Sequence, residues 1–124
     1  DSRLYNKSFI EAWKNAFCGI AHGFRTKRNL RIQLVIGIVV VVLGIVLKIS
    51  TIEWAILMLS VFLLLGTEMM NTAVEATVDL CTEEYHPKAK IAKDVAAGAV
   101  VLTAINALIV FCFLFTDKII QLFK

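Results

Sequence analysis

The sequence predicts an all-α integral membrane protein with an amphipathic surface helix followed by three transmembrane helices. Two observations carry that prediction. Of the 124 residues, 59% are hydrophobic and only 19% are charged, with a mean hydropathy of +0.79, which is far from the composition of a soluble globular domain. The apolar residues also gather into three runs, and a spanning helix needs roughly 20 mainly apolar residues. Three such helices take about 60 residues and leave no room for a separate soluble domain of ordinary size. A nucleotide-binding domain joined to a membrane anchor is thereby excluded. Residues 1–124 read as one membrane domain whose chemistry must come from termini, loops and the helices themselves.

The first element, 8–25, is an amphipathic helix. Phe9, Trp13, Phe17, Ile20 and Phe24 recur at steps of four, four, three and four, so they form one stripe. Glu11, Lys14, Asn15 and His22 lie on or beside the polar face. The helix is expected to lie along the membrane surface, packing on the spans being the plainer alternative. The first span is 32–49, with Leu34–Leu47 an unbroken run of apolar residues and glycine. Lys48-Ile49-Ser50-Thr51 supplies the turn, and Trp54 suits a membrane interface. The second helix, 52–80, is apolar to Gly66 and then turns polar. Cys81–Lys88 holds the only proline, Pro87, and reads as a loop. The third span is 90–116, and its stretch Val95–Phe115 carries no charge. Asn106, alone in that span, is expected to hydrogen-bond across subunits or back to a carbonyl. Gly98 and its neighbouring alanines are expected to permit close helix packing.

Charge orients these elements. Residues 1–31 hold seven Lys/Arg against two acids, and the remainder holds six against eight. A basic segment beside a span points to the cytoplasmic face and anionic headgroups, not to nucleic acid. With the N-terminus inside, Lys88, Lys90 and Lys93 join the inner seven, and only Lys48, Lys118 and Lys124 lie outside. The C-terminus is then outside. Three scattered cysteines, Cys18, Cys81 and Cys112, show no metal-ligand spacing and no disulfide framework. The chain begins at Asp1 rather than Met, so a trimmed chain is expected, and no secretory signal peptide is read.

The second helix carries the most informative pattern. Glu68, Asn71, Glu75 and Asp79 are spaced by three, four and four residues, which aligns three acids and an amide along one face. Like charges at that spacing repel, so helix stability does not account for them. Carboxylates at or near bilayer depth are costly and mark functional sites by default. Lys90, Lys93 and Asp94 open the third helix on the same membrane face. Acids can hold Mg²⁺ through oxygen, a lysine can neutralise a phosphate, and a carboxylate taken out of water becomes a stronger base. Together they point to a cytoplasm-facing site for phosphoryl transfer or ion handling. Neither G-x-x-x-x-G-K-[ST] nor G-x-G-x-x-G is present, so no familiar phosphate cradle contributes.

The segment Glu68-Met-Met-Asn71-Thr-Ala-Val-Glu75-Ala-Thr-Val-Asp79, then Glu84-Tyr85-His86, then Ala92-Lys93-Asp94 and Ala96-Ala97-Gly98-Ala99, resembles the prokaryotic diacylglycerol kinase family over nearly the whole chain. The stretch Glu84–Asp94 is most similar to its Gram-positive branch, which favours undecaprenol over diacylglycerol. The resemblance implies a homotrimeric helical bundle in the bacterial cytoplasmic membrane, using MgATP in active sites shared between subunits. It implies that Glu68 is the catalytic base for the lipid hydroxyl and that Asn71 helps shape the site. By the same resemblance Glu75 binds Mg²⁺, and Glu84, Tyr85, His86, Lys93 and Asp94 contact ATP. Asn15 falls where the surface helix meets nucleotide, and Ala97 falls beside the lipid. The expected function is ATP-dependent phosphorylation of undecaprenol, with MgATP held by Glu75, Lys93 and Asp94. Diacylglycerol is the alternative acceptor.

One position departs from the family. Where it usually has a second metal-binding glutamate, this chain has Lys27, which cannot ligate Mg²⁺ while protonated. Either another acid such as Asp79 compensates, or the metal count is lower, or the chain is a weakened variant. Lys27→Glu is then expected to raise activity or Mg²⁺ affinity. From a different class, a small oligomeric channel or carrier could use the acidic stripe as a pathway. Between Glu53 and Gly66, however, only Ser60 and the boundary Glu53 are strongly polar, which argues against a through-pore. A non-catalytic subunit would leave the Lys93-Asp94 pair beside the acidic stripe unexplained.

Overall fold

The computed structural model describes residues 8–124. Asp1, Arg3 and Lys7, counted in the N-terminal charge balance, lie outside them. Four helices follow in order: α1 (Phe9–Thr26), α2 (Arg28–Val46), α3 (Thr51–Cys81) and α4 (Pro87–Leu122). Three of them, α2, α3 and α4, are long and apolar enough to cross a membrane. At 1.5 Å per residue α2 is about 28 Å long, while α3 and α4 reach about 46 and 54 Å. The first roughly matches the hydrocarbon layer, and the other two must project beyond it.

Local chemistry sets the ends of these helices. Ser8 caps α1 by accepting from the Glu11 amide at 3.1 Å. Lys27 alone separates α1 from α2, with extended backbone (φ −111°, ψ 112°). Arg31 locks the corner by donating to the carbonyls of Phe24 (3.1 Å) and Arg25 (2.7 Å). A guanidinium there also complements the negative end of the α1 dipole. Ser50 and Glu53 form a reciprocal capping box at the start of α3.

The α2–α3 turn differs from its expected form. The first span reads to residue 49, but the helix stops at Val46, and the amides of Lys48 and Ile49 fold back to the carbonyls of Ile45 and Gly44. That is a Schellman ending, with Lys48 at the left-handed position (φ 54°) where glycine is usual. Ile49 is thereby turned inward and buried. An L side chain in that region costs roughly 1–2 kcal/mol. Lys48→Gly is therefore expected to raise the thermal midpoint of the detergent-solubilised protein and Lys48→Val to lower it, as followed by loss of helical circular dichroism. The same midpoint in both variants would contradict this account.

Helices α3 and α4 form an antiparallel pair, cross-linked by Glu53–Lys118, Ser60–Asn106 and Asp79–Lys93. Asn106 Nδ2 donates, at 3.4 Å, to the Ser60 hydroxyl of its own chain rather than back to a carbonyl. The third span reads to 116, yet α4 continues to Leu122. Lys118 donates to the Leu114 carbonyl and to Glu53, so its charge finds partners without breaking the helix. Within the chain, close approach occurs at glycines other than Gly98. A Cβ on Gly44 would meet Trp54 at 3.0 Å, and one on Gly37 would meet Val61 at 3.1 Å, whereas Gly98 and Gly66 face open space. Trp54, read as an interface anchor, therefore also packs across α2.

The core lies at the end near the α2–α3 turn, where Ile49, Leu57, Leu114 and Phe115 are buried together. At the other end, Leu30 is fully buried beside Gly23 and Met69, where α1, α2 and α3 meet. Elsewhere the apolar faces of α2 and α4 stand exposed, including Val39, Val42, Val101, Leu102 and Leu108. A soluble monomer does not present such a surface. It fits a chain immersed in lipid, as the three apolar helices require.

Candidate active site

The polar half of α3 divides into a buried segment and an exposed one. Glu68 is 4% exposed, and its carboxylate has no hydrogen-bond or ion-pair partner among the described residues. One turn on, Asn71 is 8% exposed. Its Nδ2 donates to Glu75 Oε1 at 3.1 Å, while its Oδ1 is buried without a partner. Glu75 Oε2 accepts from Lys27 Nζ at 2.6 Å. The corner between α1 and α2 is thereby tied to the middle of the acidic stripe. The next acid, Asp79, accepts from Lys93 Nζ at 2.7 Å.

Beyond Asp79 a cavity of about 410 Å³ opens between the end of α3, the 82–86 loop and the first turns of α4. The loop is shaped by Thr82, whose Oγ1 donates to the Glu84 carbonyl (3.1 Å) and accepts from the Glu84 amide (3.2 Å). Pro87 starts α4, where a missing amide proton costs nothing. His86 caps the helix, its Nδ1 accepting from the Lys88 amide at 3.1 Å. In neutral His86 the proton then sits on Nε2, the nitrogen left for any ligand. The cavity is lined by Asp79, Glu83, Glu84 and Asp94, by Lys90 and Lys93, and by Tyr85 and His86. Both lysines are already paired, Lys90 with Asp94 at 2.5 Å and Lys93 with Asp79 at 2.7 Å.

The expected site residues therefore fall into separate groups. Glu84, Tyr85, His86, Lys93 and Asp94 all line the cavity. Glu68, Asn71 and Glu75 lie along α3, nearer its middle. Asn15 is exposed on α1 and Ala97 is exposed on α4, and neither lines the cavity. Glu83 lines it without having been singled out, and Lys90, read beside Lys93 at the start of the third helix, lines it without having been given a ligand. The i,i+4 spacing of Lys90 and Asp94 was the available signal.

The arrangement around Glu75 does not fit a divalent ion held by this chain. Mg²⁺ needs oxygen ligands at short, near-octahedral distances. Here both Glu75 oxygens accept from nitrogen donors, and Asp79 is taken up by Lys93 instead of compensating. No group of three or more His, Cys, Asp or Glu converges as a metal cage among the described residues.

Residues 14–115 match the family described as prokaryotic diacylglycerol kinase. A Bacillus subtilis protein named undecaprenol kinase is 39% identical over 119 residues, 96% of this chain and 97% of that one. A Synechocystis diacylglycerol kinase is 41% identical over 104 residues, 83% of this chain and 59% of that protein. The diacylglycerol kinase of Escherichia coli K12 is 32% identical over 103 residues, 83% of this chain and 81% of that one.

Proposed function

The chain belongs to the prokaryotic diacylglycerol kinase family, and on that premise we propose that it transfers the γ-phosphate of ATP to undecaprenol at the cytoplasmic face of the bacterial cell membrane. Membership makes it a multi-pass membrane lipid kinase. The near end-to-end match to a protein named undecaprenol kinase supports that acceptor. The matches to diacylglycerol kinases keep diacylglycerol as the alternative.

The observation that carries the reading is the pair of unanswered acceptors on α3. Glu68, only 4% exposed, has no partner for its carboxylate among the described residues, and three residues on the Asn71 amide oxygen is buried without one; both are costly to leave unpaired. A lipid hydroxyl is a donor that reaches just this depth. Glu68 then accepts the hydroxyl proton as general base while Asn71 Oδ1 helps orient the alcohol. In-line phosphoryl transfer needs positioning and charge neutralisation, not a covalent enzyme intermediate.

The 410 Å³ cavity is the nucleotide site in this proposal, with Lys93 and Lys90 available to phosphate and Glu84, Tyr85 and His86 also in its lining. The positive end of the α4 dipole adds to the attraction for phosphate. With four acids against two lysines in the lining, the nucleotide must arrive carrying its own counter-ion. Mg²⁺ is accordingly part of the MgATP substrate. Glu68 and Asp79 are eleven residues apart on one helix, about 16 Å along its axis. Base and cavity of one chain are thus well separated, which supports a homotrimer whose sites are shared between neighbours. The open faces at Gly98 and Gly66 leave room for such neighbours. The N-terminus inside and C-terminus outside follow from the lysine and arginine balance.

The test is transfer of labelled γ-phosphate to undecaprenol and to diacylglycerol, side by side, by purified protein in mixed micelles. Faster labelling of undecaprenol is expected. Preference for diacylglycerol would establish the alternative, and labelling of neither would overturn both.

A further inference from the structure

Lys27 sits where a divalent ion would have to enter the acidic stripe, and its ammonium already does there what such an ion would do. Its side chain crosses from the α1–α2 corner to α3 and places Nζ 2.6 Å from Glu75 Oε2. The other Glu75 oxygen is held by Asn71 at 3.1 Å. Both Lys27 and Glu75 side chains are about one-third exposed, 35% each, so the pair is half-buried and partly screened by solvent. The charge balance is also closed. One ammonium and one carboxylate are neutral together, as two carboxylates would be around one divalent ion. Asp79 and Asp94 are committed to Lys93 and Lys90, and the unpaired Glu68 carboxylate lies seven residues back on α3, about 10 Å along the helix axis.

We propose that Lys27 is the resident cation of this site: its ammonium occupies Glu75 in place of a divalent metal, and the pair staples the α1–α2 corner to α3. This rests on the kinase reading for its role in turnover, where the divalent ion is then the one the nucleotide brings. The consequence for the fold is that docking of α1 needs no metal. The consequence for binding is that free divalent ions have no home on the protein before MgATP arrives. Exchanging Lys27 for an acid would reverse both, setting two carboxylates face to face until an ion separates them.

The experiment uses the full chain in detergent micelles, without nucleotide or lipid alcohol, with Mn²⁺ titrated as a paramagnetic probe. The wild type is expected to bind no more Mn²⁺ than Glu75→Gln does. Lys27→Glu is expected to take up one Mn²⁺ per chain roughly a hundredfold more tightly, since affinity follows ligand charge count, and to lose it again in Lys27→Glu/Glu75→Gln. Its thermal midpoint should rise with added Mg²⁺, while that of the wild type stays level with Mg²⁺ or chelator. Mn²⁺ bound by the wild type and released by Glu75→Gln would overturn the proposal, as would a Lys27→Glu protein that gains no Mn²⁺. Should Lys27→Glu fail to fold, the wild-type comparison still decides. None of these readouts needs turnover. Absent phosphate transfer with this Mn²⁺ pattern would count against the kinase reading alone, and the reverse against the Lys27 assignment alone.

Discussion

Glu68→Gln is expected to lower the rate of phosphate transfer to the lipid alcohol by about a thousandfold, within the range that general bases contribute, while leaving the KM for ATP nearly unchanged. The amide is the same size as the carboxylate but cannot take the hydroxyl proton. Glu68 is 4% exposed and has no cationic partner among the described residues, so the substitution breaks no ion pair. Replacing a buried, unpaired carboxylate by a neutral group removes a desolvation cost. The thermal midpoint of the variant should therefore be equal to or above that of the wild type. Loss of rate together with retained or increased stability is the pattern of a residue kept for chemistry at some cost to the fold. A residue kept for packing would lose both. Full activity in Glu68→Gln, by labelled γ-phosphate transfer, would remove it as the base.

The α3 stripe was legible in the sequence because helix periodicity alone sets which residues of one helix share a face. Glu68, Asn71 and Glu75 needed only their spacing to be placed together, and the Asn71–Glu75 hydrogen bond runs between residues four apart. The three apolar helices were legible for a similar reason, since length and composition along one segment decide them. What periodicity does not contain is the rotation and offset of one helix against another. The Lys27–Glu75 pair joins residues 48 positions apart, and the sequence shows only that a lysine stands at a position where its charge opposes a metal. The Ser60–Asn106 bond and the Glu53–Lys118 pair depend on the same offset. The small residues make the point most directly. Gly98 lies in the most conspicuous small-residue patch yet meets nothing within its own chain, whereas Gly23 on α1 and Gly37 and Gly44, inside an unbroken apolar run, carry the close approaches. Composition marks where packing is permitted, and only the placement of the neighbouring helix decides where it occurs.

The cavity residues invite a second test in which two substitutions move the same quantity in opposite directions. Lys93 reaches Asp79 at 2.7 Å, so the lysine that would meet an incoming phosphate is already neutralised when the cavity is empty. In the proposed site, binding nucleotide would exchange that carboxylate for phosphate oxygens, and the affinity would be the difference between the two pairings. Lys93→Met removes the cation and leaves Asp79 facing the phosphates. A charge-assisted contact to phosphate is lost with it, so the KM for ATP should rise roughly ten- to a hundredfold. Asp79→Asn keeps the shape but removes the competing charge and one acid from a lining that holds four. Its KM for ATP should fall below that of the wild type, because Lys93 no longer has to be drawn away from a partner before it can bind. The pair is exposed enough, with side chains 42% and 66% accessible, that breaking it should cost the fold little. Both variants should therefore keep the wild-type thermal midpoint. Steady-state ATP titrations at saturating lipid alcohol would show the opposed shifts. An Asp79→Asn protein with a raised KM would mean that Asp79 orients Lys93 for the nucleotide and does not compete with it.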